Sequence, residues 1–86
     1  MPRNAIFLRM THTRESTEPV TVTVNGAARE VRPGSSVADL LHSLGIDPRM
    51  VVVEHNREIL RDRGSHGERA LSPGDVVEIV HFVGGG

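Results

Sequence analysis

Val76-Val77-Glu78-Ile79-Val80-His81-Phe82-Val83-Gly84-Gly85-Gly86 closes the 86-residue chain. Its alternation has the period of a strand: Val77 and Ile79 fall on one face with His81 following, and Glu78, Val80 and Phe82 fall on the other. The apolar run then stops against bare glycines. Glycine lacks a Cβ, so such a thread can take backbone angles closed to other residues and enter a channel too narrow for side chains. Ordering each glycine costs roughly 1–2 kcal/mol of backbone entropy. An ending of this kind adds little to a core and suits the presentation of one carboxylate to another enzyme.

Working back from this strand, Ser72-Pro73-Gly74-Asp75 is a tight Pro-Gly turn that launches it. Arg61 to Arg69 is polar and contains Gly64 and Gly67, which predicts a mobile loop. Met50-Val51-Val52-Val53-Glu54 reads as a strand apolar enough to be largely buried. His55-Asn56-Arg57 reads as a turn, and Glu58-Ile59-Leu60 as a short strand or edge segment. Before them, Ser36 and Asp39 have capping-box spacing, and Val37, Leu40, Leu41 and Leu44 form a single helical stripe. Gly45 fits the left-handed position after the helix, and Pro48 blocks its renewal. His42 and Ser43 fall on the solvent side.

Val20-Thr21-Val22-Thr23-Val24 alternates apolar and polar β-branched residues, the pattern of a half-buried strand. Asn25-Gly26 is a strong signal for a type I′ hairpin turn. Arg29-Glu30-Val31-Arg32 returns as a second strand, which Pro33-Gly34 breaks. The order β-β-α-β-(β)-β predicts an α+β domain, a mixed four- to five-stranded sheet with one helix packed across it. The helix stripe needs a partner, so Val77 and Ile79 are expected to face it. Val80 and Phe82 are then left on the open face beside the tail, and with the adjoining Val83 they are expected to form a docking surface that aims the glycines.

Composition narrows the chemistry. There is no cysteine, which excludes disulfides, thiolate metal sites and thiol catalysis. All ten basic residues are arginine, so Schiff-base chemistry is excluded as well. A net charge of −1 gives no general attraction to nucleic acid or anionic membranes. No apolar run approaches the ~20 residues needed to cross a bilayer. The first nineteen residues carry Arg3, Arg9, Arg14, Glu15 and Glu18 around a single apolar cluster, Ala5-Ile6-Phe7-Leu8. That cluster is too short for a signal peptide, and the glutamates do not suit a transit peptide. Residues 1–19 therefore read as a disordered extension, 20–83 as the folded domain and 84–86 as a flexible tail.

Conventional active-site patterns are missing. His12, His42, His55, His66 and His81 show no close i,i+2 or i,i+4 pairing for a metal and read as surface or sheet histidines. No serine occupies a nucleophile elbow. Gly64-Ser65-His66-Gly67 is too short for a phosphate loop. Arg57, Arg61, Arg63 and Arg69 alternate with Glu58, Asp62 and Glu68, as on a solvated surface. No catalytic side chain, metal site or cofactor is expected.

This combination resembles the ThiS family of sulfur carriers in thiamine biosynthesis, which have the ubiquitin-like β-grasp fold. The resemblance runs from Val20 to Gly86. It is carried by Thr23-Val24-Asn25-Gly26, Ser36-Val37-Ala38-Asp39-Leu40-Leu41, Val51-Val52-Val53-Glu54-His55-Asn56, Pro73-Gly74-Asp75-Val76-Val77-Glu78-Ile79 and the Phe82-Val83-Gly84-Gly85-Gly86 ending. The extension over the first nineteen residues and the third terminal glycine depart from the family pattern.

The resemblance implies a cytoplasmic protein co-substrate rather than an enzyme. A ThiF-like adenylating enzyme would activate the Gly86 carboxylate with ATP. A persulfide originating at a cysteine desulfurase would then displace AMP to leave a thiocarboxylate, which thiazole synthase would use as its sulfur source. Gly84 and Gly85 would act as the tether that carries Gly86 into the partner's active site. Carriers for molybdopterin, cysteine or tRNA thiolation share the fold and the ending, although the Pro-rich approach usual in the molybdopterin carrier is missing here. A β-grasp modifier or binding module without sulfur chemistry is the alternative from a different class.

The lack of periodicity in the first eighteen residues yields an expectation. Removing Met1 to Glu18 should change neither melting temperature nor thiocarboxylate yield. A fall of several degrees would show that Ile6-Phe7-Leu8 packs on the domain.

Overall fold

The computed structural model describes residues 18–82. Alternating β-branched residues form β1 (Val20–Val24), with Val22 and Val24 turned into the core. Asn25 and Gly26 take φ of 49° and 85°, the left-handed pair required by a type I′ turn, and return the chain as β2 (Ala27–Val31). This second strand is almost wholly exposed, as its polar sequence requires.

The helix α1 (Val37–Ser43) has both halves of the capping box. The Asp39 amide donates to Ser36 Oγ at 3.1 Å, and the Ser36 amide donates to the Asp39 carboxylate at 2.9 Å. These bonds occupy two amides that a helix start would otherwise leave bare. At the other end Gly45 takes φ 70°. Its amide donates to His42 O, and that of Ile46 donates to Leu41 O, which closes a Schellman motif. Val37, Leu40 and Leu41 are buried from this helix.

After a short 3-10 turn (Pro48–Met50), β3 (Val51–His55) pairs antiparallel with β4 (Glu58–Ile59). The sequence reading places Met50 in a largely buried strand. Instead Met50 ends the 3-10 turn and is 52% exposed, and Val52 also lies outward. β3 has one buried face, because among the described residues no layer covers its other side.

Asn56 and Arg57 form a second turn with positive φ, 50° and 73°. Arginine carries no left-handed preference, so the sequence signals a turn there without its type.

The polar stretch Arg61 to Arg69 is not the expected mobile loop. Residues Arg63–Glu68 form a 3-10 helix capped by Asp62, whose carboxylate accepts the Gly64 amide at 2.9 Å. Buried Leu60 and Leu71 anchor the two ends of the segment, and His66 is only 3% exposed. Arg63 Nε donates to the Pro48 carbonyl at 2.9 Å. The Val37 amide donates to Arg69 O, and that of Leu71 donates to Ser35 O, which strap the segment to the start of α1.

β5 (Val76–His81) completes a five-stranded sheet in the order β2-β1-β5-β3-β4. It runs parallel to β1 and antiparallel to β3. Val77 and Ile79 join α1, Val22, Val24, Val51, Val53, Leu60 and Leu71 in a single core. Among the described residues no helix is long and apolar enough to cross a membrane.

Two polar sites, buried His66 and partly buried Asp75, make this fold sensitive to acid. Burial holds His66 below its ordinary 6.5, so the folded protein keeps that ring neutral. For Asp75, burial pushes its pKa upward, but hydrogen bonds from His55, the Ser72 amide and Asn56 outweigh it and leave the carboxyl below 3.8. Both groups bind protons more weakly when folded, so each contributes stability above its unfolded value and loses it as the pH falls. Melting temperature should therefore be level above about pH 6.5, decline below it through His66, and fall again below about 3.8 through Asp75. Melts across this range would show it, and His66→Leu should remove the first decline.

Candidate functional site

β5 is the strand that leads toward the glycines, and its two long edges are held differently. On the β1 side, backbone pairing is short: Thr23 with Val76 and Val24 with Val77. Asn25 then extends it from the hairpin turn. The Ile79 amide donates to Asn25 Oδ1 at 2.7 Å, and Asn25 Nδ2 donates to Ile79 O at 3.2 Å. The carboxamide stands in for one more residue of β1. On the β3 side the ladder is long, from His55–Val77 to Val51–His81, and the Phe82 amide still reaches Met50 O at 2.9 Å.

The start of β5 is pinned by a polar cluster that sequence reading missed. The Val76 amide donates to Asn56 Oδ1 at 2.8 Å, and the Asn56 amide donates to Val76 O at 2.8 Å. Asp75 accepts from Asn56 Nδ2, from the Ser72 amide and from His55 Nε2, the last at 2.8 Å. Buried His55 and partly buried Asp75 thus tie the β3–β4 turn to the turn before β5. The two residues are twenty apart in sequence, so no local spacing links them.

The open face has a clear order. Glu78, Val80 and Phe82 point outward from β5, with Val80 62% and Phe82 53% exposed. Val77 and Ile79 are buried beneath the helix, as the alternation predicts. Val52 contributes the neighbouring exposed valine, because it is the register partner of Val80. Met50 lies beside Phe82 at the end of the ladder. Further back Glu54 stands opposite Glu78, and both line an open depression with Arg57, Val76 and Val80.

The expected tail residues Gly84, Gly85 and Gly86, and Val83 of the expected docking surface, lie outside the described residues. His55 is a histidine of the sheet, as expected, and is buried there; His66 is buried in the 3-10 helix, outside both expected settings; His42 and His81 are exposed, and His12 lies outside the described residues. Among the described residues no three His, Cys, Asp or Glu side chains converge to hold a metal ion. Among the described residues the candidate site is an exposed sheet face and the end of β5.

One helix across a mixed five-stranded sheet, with a central parallel pair made by the first and last strands, is the β-grasp arrangement. Residues 22–86 match the model of the ThiS family, and the chain belongs to that family. It is similar to the sulfur carrier protein ThiS of Bacillus subtilis, with 47% identity over 51 residues, 59% of this chain and 76% of that protein. The solved structure of thiamine biosynthesis protein ThiS from Geobacter metallireducens superposes with a TM-score of 0.67 at 34% identity, covering 78% of this chain and 100% of that one. Thiazole synthases of Magnetococcus marinus and Paramagnetospirillum magneticum match 73% of this chain at 38% and 43% identity. The chain spans only 19% of the length of each of these two proteins.

The opposed faces of β5 predict opposite responses to the same change. Ile79→Asp should unfold the domain, since an unpaired buried carboxylate costs several kcal/mol against a total of about 5 kcal/mol for a domain of this size. Phe82→Asp should leave the circular dichroism melt within a few degrees of the parent. The reverse pattern would invert the assignment of faces.

Proposed function

We propose that this chain is a cytoplasmic sulfur carrier protein that donates sulfur for thiazole formation in thiamine biosynthesis. The observation that carries the reading is membership of the ThiS family over residues 22–86, which takes in the glycine ending. In this reading residues 20–83 serve as the folded carrier, 84–86 as its flexible tail and 1–19 as a disordered extension outside the chemistry.

The reacting group is the Gly86 carboxylate. A carboxylate is a poor electrophile, so a ThiF-like adenylating enzyme joins it to the α-phosphate of ATP with loss of pyrophosphate. The terminal sulfur of a persulfide drawn from a cysteine desulfurase then attacks the acyl carbon and AMP leaves, which gives an acyl disulfide. A second thiol of the partner attacks the carrier-distal sulfur, forms a disulfide with it and releases the thiocarboxylate in place of the carboxylate. Thiazole synthase consumes that sulfur, and the two thiazole synthases with a segment similar to this chain support its role as the receiving partner. All catalytic groups belong to the partners, and the carrier supplies position.

That position comes from two parts. Val80, Phe82 and Val83 dock on the partner, and Gly84 and Gly85 pass through a narrow channel to deliver Gly86. The glycines are suited to this because a side chain at either position would widen the thread.

The test is ATP–pyrophosphate exchange with the cognate adenylating enzyme. Deleting Gly86, or adding one residue after it, should abolish exchange while leaving the melting temperature unchanged. Undiminished exchange by the deletion variant would remove the carrier reading. Mass spectrometry of the parent protein after incubation with ATP and the sulfur donor should show one oxygen replaced by sulfur at Gly86.

A further inference from the structure

Ile79 takes both of its backbone hydrogen bonds from one side chain. In an antiparallel ladder, residues that bond across the pair alternate with residues that do not. The Asn56 amide donates to Val76 O and the Phe82 amide to Met50 O, so Val76, Glu78, Val80 and Phe82 turn their N–H and C=O groups toward β3. Val77, Ile79 and His81 therefore turn theirs toward the β1 side. Val77 still meets backbone there, since the Asn25 amide donates to Val77 O at 2.9 Å. β1 has ended at Val24, and at buried Ile79 the Asn25 carboxamide takes over, accepting at 2.7 Å and donating at 3.2 Å. Among the described residues no hydrogen bond holds His81 from that side. Asn25 is the last grip on β5 opposite β3.

The turn itself does not demand this side chain. Asn25 has φ 49° beside Gly26, and Gly-Gly serves a type I′ turn as Asn-Gly does. What glycine cannot supply is a donor and an acceptor on one planar group, matched to one residue's C=O and N–H.

Resting on the functional reading above, we propose that Asn25 is a positioning residue for adenylation: acting through Ile79, its carboxamide presets residues 79–82 in the conformation that presents Gly86 to the activating enzyme. With the carboxamide in place, β5 is bonded on both edges as far as Ile79. Without it, the strand beyond Val77 is bonded along β3 alone, and a ribbon bonded on one edge can twist about that edge. The presenting conformation is then populated for only part of the time. Such a fraction weakens apparent binding in proportion and leaves the events within the bound complex unchanged. Loss of the carboxamide is thus felt in KM for the carrier, with kcat kept. Asn56 provides the contrast. It has φ 50° in its own turn, and its Oδ1 accepts the Val76 amide at 2.8 Å. Val76 begins the strand, so loosening there leaves residues 79–82 in place.

The experiment measures ATP–pyrophosphate exchange against carrier concentration for the full chain, N25G and N56G, below the melting temperature of each, with amide hydrogen exchange alongside. N25G should raise KM about tenfold, the scale of two net hydrogen bonds, keep kcat within about twofold and speed exchange of the Val80 and Phe82 amides. N56G should lower the melting temperature and keep the parent's KM. N25D keeps an Asp-Gly turn but sets an oxygen against Ile79 O, so it should also raise KM, and it serves as the test if N25G does not fold. A parent KM in both Asn25 variants, or the same rise in N56G, would reduce Asn25 to a structural residue and overturn the proposal. If the parent chain itself supports no exchange, the functional reading fails and this inference fails with it.

Discussion

Everything in this domain depends on holding β5 as the central strand, and two asparagines in hairpin turns do much of that work. The parallel contact with β1 has only two register pairs before β1 turns away. Asn25 prolongs it by offering Ile79 both an acceptor and a donor. Asn56, in the other hairpin, does the corresponding work for Val76 at the opposite end. Asparagine suits both places because it tolerates the left-handed backbone that a tight hairpin demands. Each bond contributes about 1 kcal/mol net. Their larger effect is on register: a slip of one residue would turn Val77 and Ile79 out of the core and carry Glu78 into it.

A central strand fixed in this way gives the domain two unlike halves. Inward, Val77 and Ile79 close the core under α1. Outward, the same strand carries Glu78, Val80 and Phe82 into solvent. Beyond Ile79 the β1 side has no register partner among the described residues, so β5 runs on held by β3 alone. The ladder gives this end of the sheet a firm exposed face just before the sequence passes into glycine.

Much of this was legible from local rules. The Val20–Val24 alternation, Asn25-Gly26, the Ser36–Asp39 box, Gly45 and the Pro73-Gly74 turn each act over a few residues, and each appears where its chemistry requires. The faces of β5 followed from period 2 and the need of the helix stripe for a partner. Where local reading went astray, the cause lay at a distance. Arg61 to Arg69 has the composition of a loop, yet buried Leu60, His66 and Leu71 hold it against the domain. The exposure of Val52 reflects a missing layer on the open side, which an apolar run does not reveal.

By itself, the sequence determined where β1, α1, β5 and the turns at Asn25-Gly26 and Pro73-Gly74 lie, and which face of β5 is apolar toward the helix. Those outcomes depend on side-chain period, caps and φ preferences within a turn or two of the backbone. Only the tertiary structure decided the strand order, the meeting of Asn25 with Ile79 across 54 residues, the burial of His55 against Asp75 and the facing of Glu54 with Glu78. Each of these joins parts of the chain that share no local geometry. Their contact is set by how the two hairpins and the helix must lie to bury one common core.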